Sequence, residues 1–233
     1  MKLFGGYSGA GRGLRDLLEI RPGVTALIGG GGKTTLLYHL AGELSRRGTV
    51  AITTTTHIKK PDQFPFADGW EAAKTALAER GFVCIGTEAE DGKLTAPGFE
   101  GWETLAEYVL VEADGAKMLP LKAHDDHEPV IPAGCDNVIC VVGASGFGQP
   151  VQMAAHRPER YAALADTSEG TKVTPEIAAA VIRAEGLHTR VFLNQTDAAG
   201  KLFGTSQTKE FAKAMDCPVV AGSLRQGTWQ KLR

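Results

Sequence analysis

The stretch "TALIGGGGKTTLLYHLAGEL", from Thr25 to Leu44, decides the fold. Four glycines separate a run of apolar residues from a segment typical of a helix. A buried strand, a glycine-rich turn and a helix are therefore predicted in direct succession. Such a succession favours an α/β fold in which the end of a strand is joined to the start of a helix by a short loop.

The rest of the chain alternates in the same way, with β-rich runs followed by turn residues or by helical patterns. Most of the runs are continuously apolar, so they are expected to be strands covered on both faces. The alternation predicts an α/β class with a mainly parallel sheet flanked by helices. The predicted strands are Val24–Ile28, Val50–Thr54, Phe82–Ile85, Tyr108–Val111, Val138–Val142, Arg190–Leu193 and Pro218–Ala221, and the predicted helices are Gly32–Arg46, Trp70–Arg80, Thr174–Ala184 and Gln207–Met215.

Composition narrows the class of protein. The chain has 233 residues, 43% of them hydrophobic and 22% charged, which predicts a sizeable core in a single domain, 1–233. The formal net charge is −2, and no basic stretch indicates a nucleic-acid partner or a membrane surface. The four cysteines have neither the density of a disulfide scaffold nor a CxxC spacing, so a cytoplasmic protein with reduced thiols is expected.

The glycines between the first strand and the first long helix predict a phosphate-binding loop. Glycines allow backbone amides to approach phosphate oxygens, and a helix N-terminus adds N–H groups and partial positive charge. In this arrangement Lys33 reaches the β- and γ-phosphates and the Thr34 hydroxyl coordinates Mg²⁺. Thr35 is expected to contact the α-phosphate or to stabilise the helix. The predicted nucleotide-binding residues are Gly29, Gly30, Gly31, Gly32, Lys33, Thr34 and Thr35.

The loop departs from the common G-x-x-x-x-G-K-[ST] spacing, because Leu27 stands where the first glycine belongs. It fits the variant Lys-Gly-Gly-x-Gly-Lys-Thr except that Ile28 replaces the first lysine. The loop therefore resembles that of the branch of P-loop NTPases that includes metallocentre-insertion GTPases and partitioning ATPases. In some members the missing lysine completes the active site of a dimer partner; whether this chain is a homodimer stays open.

Polar residues that follow two predicted strands are candidates for the metal and for catalysis. Glu112 and Asp114 follow the strand "YVLV" and are expected at the edge of the sheet where ligands bind. Together with Lys33 they are the predicted catalytic residues, and with Thr34 the predicted Mg²⁺ ligands, without a decision between the two carboxylates. After the second strand, the hydroxyls of Thr54, Thr55 and Thr56, followed by His57, are candidates for a substrate or switch loop.

Base recognition is predicted at "LNQTD". Asn194 and Asp197 match the Asn-Lys-x-Asp motif of GTPases, with Gln195 in place of the lysine. An aspartate can accept hydrogen bonds from guanine N1–H and N2–H₂ together, which adenine cannot offer. The motif therefore favours GTP over ATP, and a simple Asx turn at the end of a strand is the alternative.

The segment Glu112–Pro132 is rich in Pro, Asp and His and is predicted to be a long ordered loop. His124, His127 and Glu128 have a spacing compatible with zinc, but the surrounding prolines disfavour the helix that would align them. A substrate-facing or switch loop is the favoured interpretation. Arg157, beside His156, could bind a phosphate or a carboxylate, or could cap a helix. Of the cysteines, Cys84, Cys140 and Cys217 are expected in the core and Cys135 at the surface.

Taken together, "GGGGKTT", "TTTTHI", "VEADGAKMLPLKAHDDHEPVIP", "GASGFGQP", "HRPE" and "LNQTD" occur in an order that resembles the YqeC family, over about Asp16–Asp197. The resemblance implies an accessory protein for selenium-dependent molybdenum hydroxylases, acting in the maturation or insertion of their molybdenum cofactor. It also implies functional loops, whose candidate residues are Thr54, Thr55, Thr56, His57, Lys117, Lys122, His127, Glu128, His156 and Arg157. His124 stands where the family loop is expected to carry proline.

The residues favour an Mg²⁺-dependent NTPase in which water attacks the γ-phosphate in line. Hydrolysis would release the loops that follow Glu112 and Thr54 and change the affinity for a client hydroxylase or a molybdenum cofactor species. A small-molecule kinase or activating enzyme is the first alternative. The second is a cofactor-binding chaperone in which the nucleotide has only a structural role.

Overall fold

The computed structural model describes residues 12–60, 64–90, 92–135, 137–198 and 206–233. The helices of these ranges are α1 (Leu14–Leu17), α2 (Lys33–Leu44), α3 (Trp70–Arg80), α4 (Val151–Ala154), α5 (Pro158–Leu164), α6 (Pro175–Glu185) and α7 (Ser206–Ala214). The strands are β1 (Gly23–Gly29), β2 (Val50–Thr54), β3 (Ile58–Lys59), β4 (Phe66–Ala67), β5 (Phe82–Ile85), β6 (Thr87–Glu88), β7 (Lys93–Thr95), β8 (Tyr108–Glu112), β9 (Leu121–Lys122), β10 (Asn137–Gly143), β11 (Ala155–His156), β12 (Arg190–Asn194), β13 (Val219–Ser223) and β14 (Thr228–Lys231).

The described residues divide into two compact units. The first unit consists of residues 12–27, 34–115 and 128–137, and its main strands follow the order β1-β8-β2-β5-β4. All neighbours in this order are parallel. Helix α3 packs on them over a core that consists of Ala51, Ala67, Ala73, Leu77, Val83, Ile85, Trp102, Val109 and Val111. The register places Glu112 level with Leu27 on one side and with Thr54 on the other.

The second unit consists of residues 28–33, 116–127 and 138–233. Its main strands follow the order β10-β12-β13-β14; the first three are parallel, and β14 pairs antiparallel with β13. Asn194 lies opposite Gly143, so the carboxyl ends of β10 and β12 lie at one edge. Phe192 and Phe211 are among the largest fully buried side chains. Each unit thus has a mainly parallel sheet flanked by helices, as the sequence predicts.

The predicted elements agree closely with the observed ones. Helix α3 has the predicted bounds, Trp70–Arg80, as do strands β2 and β5. Helix α6 begins as expected from its sequence: the Thr174 hydroxyl accepts a hydrogen bond from the Ile177 amide at 3.2 Å, and Pro175 occupies the first turn. The short helices α1, α4 and α5 and the antiparallel strand β14 were not predicted.

The remaining strands form two small sheets. Strands β3, β7 and β6 form an antiparallel sheet in the first unit. In the second unit β9 pairs in parallel with β11, so the predicted long loop Glu112–Pro132 contains one short strand. Among the described residues, no helix combines the length and the apolar character that crossing a bilayer requires.

Candidate functional site

The glycine-rich loop is tied to its surroundings in the second unit through its own backbone. The Gly30 amide donates to the Val141 carbonyl at 2.9 Å, and the Gly31 amide donates to the Leu119 carbonyl at 3.0 Å. The Asn194 side-chain amide donates to the Gly31 carbonyl at 2.7 Å. The amides of Gly30 and Gly31, which the sequence predicts to bind phosphate, therefore donate to carbonyl groups of the protein itself. The amides at the start of α2, which have no acceptor within the helix, are better candidates for phosphate.

Close packing explains why this loop requires glycine. A Cβ at Gly30 would lie 2.7 Å from the carbonyl oxygens of Leu119 and Pro120. Gly32 has a φ of +112°, and a Cβ there would lie 2.7 Å from the Asn194 side-chain amide. The glycines thus allow neighbouring backbone and side-chain groups to contact the loop directly, and a positive φ is available to them at little cost.

Lys33 is the first residue of α2 and lies over the loop. Its ammonium donates to the Gly29 carbonyl at 2.6 Å, and the residue is only 4% exposed. A buried ammonium is costly unless it is hydrogen-bonded, so this contact holds the charge beside the loop. The ammonium group of Lys33 therefore lies against the glycine-rich loop, and its role in phosphate binding stays a prediction.

The candidate metal ligands Thr34 and Glu112 are in direct contact in the first unit. The Thr34 hydroxyl donates to Glu112 Oε2 at 2.8 Å. Glu112 is the last residue of β8 and is buried, and Asp114 is also buried. The intervening Ala113 is fixed on both sides, because its amide donates to the Leu27 carbonyl and its carbonyl accepts from the Val130 amide, both at 3.0 Å. The two carboxylates are therefore attached to well-anchored backbone.

The threonines at and after the end of β2 make hydrogen bonds that brace the backbone around Glu112. The Thr54 hydroxyl donates to the Glu112 carbonyl at 2.8 Å and accepts from the Thr56 amide at 3.0 Å. The Thr55 hydroxyl donates to the Val130 carbonyl at 2.7 Å. Thr54 is buried, whereas His57 is exposed. A substrate or switch role for Thr54, Thr55, Thr56 and His57 stays a prediction.

At the end of β12 the predicted base-recognition residues have three different environments. Asn194 is 5% exposed and joins two segments, because it also accepts from the Leu224 amide at 3.1 Å. Gln195 Oε1 accepts from the Ser145 hydroxyl at 2.5 Å. Asp197 Oδ2 accepts from Arg225 Nη2 at 2.6 Å. Burial raises the pKa of the Asp197 carboxyl, but hydrogen bonds from Ser223 and Arg225 outweigh it, and the net pKa is below the ordinary value.

The loop from Ala116 to His127 is anchored by the contact of the buried His124 with the partly buried Glu185. His124 Nδ1 lies 2.9 Å from Glu185 Oε2, and the His124 amide donates to Glu185 Oε1 at 2.6 Å. His124 thus fixes the loop to the end of α6. Arg157, with a φ of +59°, lies 3.4 Å from Asp125 Oδ2 through its Nε. Neither contact was predicted, because the partners are far apart in sequence.

The other loop candidates differ in exposure. Lys117 and His127 are exposed, Glu128 and His156 are intermediate, and Lys122 is buried. Lys117 and Met118 both have positive φ, and Met118 is fully exposed at the tip of the loop. The roles of Lys117, Lys122, His127, Glu128, His156 and Arg157 stay predictions.

The cysteines follow the expectation only in part. Cys84 and Cys140 are buried, but Cys217, expected in the core, is only partly buried, as is Cys135. Burial raises the pKa of the Cys217 thiol to about 11, and the negative charge of Asp216 acts in the same direction. Cys217 precedes β13 rather than lying within it, which accounts for its partial exposure.

Fold and loop define an α/β protein with a glycine-rich loop between its first main strand and the following helix. The family model of the YqeC protein matches residues 25–159, and the chain therefore belongs to the YqeC family. The chain is 33% identical over 184 residues to the uncharacterized protein YqeC of Escherichia coli (strain K12), covering 73% of this chain and 72% of that relative.

A solved structure with a similar arrangement is the signal recognition particle 54 kDa protein from Aeropyrum pernix K1 in complex with GDP. It matches with a TM-score of 0.41 and 16% identity. The match covers 91% of this chain but only 44% of that structure. Similarity at this level bears on neither ligand nor activity.

We expect Asn194→Ala to destabilise the second unit by about 1–3 kcal/mol, because it removes two hydrogen bonds and leaves buried backbone groups unpaired. Asp197→Ala, three residues later, is the matched control. It removes hydrogen bonds from Ser223 and from Arg225, whose side chain is 80% exposed, but leaves the backbone contacts of the glycine loop in place, and should cost less than Asn194→Ala. Urea unfolding of both variants measures the difference, and equal losses would contradict the linking role of Asn194.

Proposed function

We propose that this YqeC-family chain binds a nucleoside triphosphate with Mg²⁺ at the segment Gly29–Thr35 and hydrolyses it. The observation that carries the proposal is the hydrogen bond of 2.8 Å between Thr34 Oγ1 and Glu112 Oε2, one residue after the buried Lys33. A hydroxyl at the start of a helix and a strand-end carboxylate in contact form the oxygen pair that a phosphate loop needs for its metal.

The donor set beside Thr34 fits Mg²⁺. Thr34 and Glu112 offer a hydroxyl and a carboxylate, and Asp114 adds a second buried carboxylate on the same segment. Mg²⁺ prefers such oxygen ligands, commonly one or two carboxylates in addition to substrate phosphates. When bound, the ion would neutralise charge on the β- and γ-phosphates. The direct contact of Glu112 with Thr34 favours Glu112 over Asp114 as the carboxylate beside the metal.

The phosphates would be held by the start of α2 and by Lys33. Helix α2 begins at Lys33, and its first amides have no acceptor within the helix, so they can donate to phosphate oxygens. Lys33 would exchange its bond to the Gly29 carbonyl for a stronger, charge-assisted bond to phosphate. Gly30 and Gly31 would act by fixing the loop, since their amides are bonded to Val141 and Leu119.

In hydrolysis a water oxygen would bond to the γ-phosphorus while the bond from phosphorus to the bridging oxygen breaks, with the electron pair remaining on the nucleoside diphosphate. The products would be that diphosphate and inorganic phosphate. Lys33 would hold the phosphates throughout the reaction and balance charge on them. Measuring released phosphate distinguishes hydrolysis from a kinase reaction, in which the phosphoryl group appears on a second substrate.

The coupling to a client would run through the loop that begins at Ala116. The Gly31 amide is bonded to the Leu119 carbonyl, and the Gly143 amide is bonded to the Pro120 carbonyl at 2.8 Å. A shift of the glycine loop would therefore be transmitted to the exposed Lys117 and Met118. The family resemblance supplies the client: a selenium-dependent molybdenum hydroxylase or its cofactor. Gel filtration with purified cofactor-free hydroxylase should show a complex with the triphosphate form and none with the diphosphate form.

We expect Lys33→Ala to weaken triphosphate binding by roughly 10- to 150-fold. The range follows from about 1.5–3 kcal/mol for a hydrogen bond to a charged group. Calorimetric titration measures the affinity. Lys74→Ala, which removes an exposed lysine from α3, is the control and should bind as the wild type does. Unchanged affinity in a folded Lys33→Ala protein would refute the proposed site.

We expect Glu112→Gln to lower Mg²⁺-dependent turnover at least about tenfold, equivalent to about 1.4 kcal/mol in the barrier. The substitution keeps the shape and a hydrogen-bonding oxygen but removes the charge beside Thr34. Nucleotide affinity measured over a range of Mg²⁺ concentrations should shift more in Glu112→Gln than in Asp114→Asn. The reverse order would make Asp114 the carboxylate beside the metal.

The preference for guanine is tested at Arg225. If Asp197 accepts from the guanine edge, the guanidinium that now occupies Oδ2 competes with the base. Arg225→Ala should then strengthen GTP binding and leave ATP binding unchanged, whereas Asp197→Ala should remove a preference of roughly 5- to 150-fold, from about 1–3 kcal/mol. Competition between GTP and ATP measures both effects. Equal changes for the two nucleotides would mean that the base is recognised elsewhere.

A further inference from the structure

Three side chains of different chemistry converge in the second unit, and none of them belongs to the proposed nucleotide site. His188, Asp216 and Cys217 offer a ring nitrogen, a carboxylate oxygen and a sulfur that all lie within 4.8 Å of one another. Among the residues that the structure describes, this is the one group of three or more His, Cys, Asp or Glu side chains close enough together to hold a metal ion. The spacing "HDDHE", by contrast, does not form one, because His124 is paired with Glu185.

The sheet explains why these residues meet. Strands β12 and β13 are parallel neighbours, with Val191 opposite Val219, so the segments that lead into them start at the same edge. The Val191 amide donates to the Pro218 carbonyl at 3.0 Å, which fixes the two segments against each other. His188 precedes β12 by two residues, and Cys217 precedes β13 by two residues. The cluster therefore lies directly before two strands that are hydrogen-bonded to each other.

Nitrogen, sulfur and oxygen donors together are typical of zinc. Zinc forms bonds of about 2.0–2.3 Å to these donors, so tetrahedral ligand atoms lie about 3.3–3.8 Å apart. Ligand atoms that already lie within 4.8 Å of one another would have to approach by at most about 1.5 Å. Thiolate and imidazole ligands disfavour Mg²⁺ and Ca²⁺, which select oxygen.

Exposure and charge suit a site that an ion can enter. Asp216 is exposed, and His188 and Cys217 are partly buried, so one side of the cluster is open to solvent. Arg190 and Arg233 act electrostatically on Cys217. A divalent ion bound by a thiolate and a carboxylate has no net charge, so these guanidinium groups would not repel the occupied site. Both carboxylate oxygens of the nearby Glu185 are in hydrogen-bond contact with His124, so Glu185 is not counted among the zinc ligands.

We propose that His188, Asp216 and Cys217 bind a zinc ion, with a fourth position left for water or for a group from a ligand. The site is separate from the proposed nucleotide site. His188 precedes β12 and Asn194 ends it, and the five residues of this strand span about 17 Å. The zinc site therefore lies at the opposite end of β12 from the residue that holds the glycine loop, and the proposal does not depend on nucleotide binding.

Titration of the full chain with Co²⁺, a spectroscopic substitute for zinc, tests the proposal. The wild type should bind one equivalent and develop a thiolate-to-cobalt charge-transfer absorption that added Zn²⁺ abolishes. Cys217→Ser should lose this absorption and bind Zn²⁺ at least about tenfold more weakly. Cys135→Ser, which removes a partly buried thiol from the first unit, is the matched control and should keep both properties.

Asp216→Asn gives a second test that does not depend on how Cys217→Ser folds. Asp216 is exposed, so its substitution should leave the fold intact while weakening Zn²⁺ binding and keeping the charge-transfer absorption. Zn²⁺ should raise the Tm of the wild type more than that of Asp216→Asn. Absence of the absorption in the wild type, its persistence in Cys217→Ser, or an unchanged Zn²⁺ affinity in Asp216→Asn would overturn the proposal.

Discussion

The backbone of Gly31 is held by hydrogen bonds through both its N–H and its carbonyl, and the form of the glycine loop depends on these two bonds. Its N–H donates to the Leu119 carbonyl at 3.0 Å, and its carbonyl accepts from the Asn194 side chain at 2.7 Å. The residue has a φ of +70°, and a Cβ would overlap the Gly143 backbone. Both the positive φ and the lack of space for a Cβ therefore favour glycine here, and the two hydrogen bonds join the loop to two distant segments of the chain. A rigid loop of this kind can present helix amides to an anion without the entropy cost of ordering them.

The geometry of parallel sheets brings the other candidate residues together. In a parallel sheet the carboxyl ends of neighbouring strands lie at one edge, and this edge is where ligands bind in open α/β folds. In the first unit it places Glu112 level with Thr54, whose hydroxyl supports the Glu112 carbonyl. In the second unit it places Asn194 level with Gly143. At the opposite ends of β12 and β13 it brings His188 near Cys217.

The sequence predicts what depends on local pattern. Apolar runs locate the main strands, and Thr174 with Pro175 locates the start of α6, because burial and capping act over a few residues. The apolar run Arg190–Leu193 places Asn194 directly after a predicted strand, and Asn194 is the last residue of β12, where it contacts Gly31 and Leu224. The position of Glu112 at a strand end also follows from its pattern alone.

Contacts between residues that are far apart in the chain cannot be predicted from local sequence pattern. His124 and Glu185 are 61 residues apart, and Asp197 and Arg225 are 28 apart, so no spacing in the chain indicates either pair. The spacing of His124, His127 and Glu128 is compatible with zinc within one segment. The group of possible ligands in the structure instead comes from the two segments that lead into β12 and β13, which strand pairing brings together. Which amides of the glycine loop are used internally is likewise set by the packing of Val141 and Leu119.

The most direct test of the nucleotide-site proposal is a crystal structure of the chain grown with Mg²⁺ and a non-hydrolysable triphosphate. The account predicts phosphate oxygens at hydrogen-bond distance from the amides at the start of α2 and from Lys33 Nζ, with Mg²⁺ beside Thr34 and Glu112. A triphosphate bound away from the segment Gly29–Thr35, or a loop without nucleotide at saturating concentration, would contradict it.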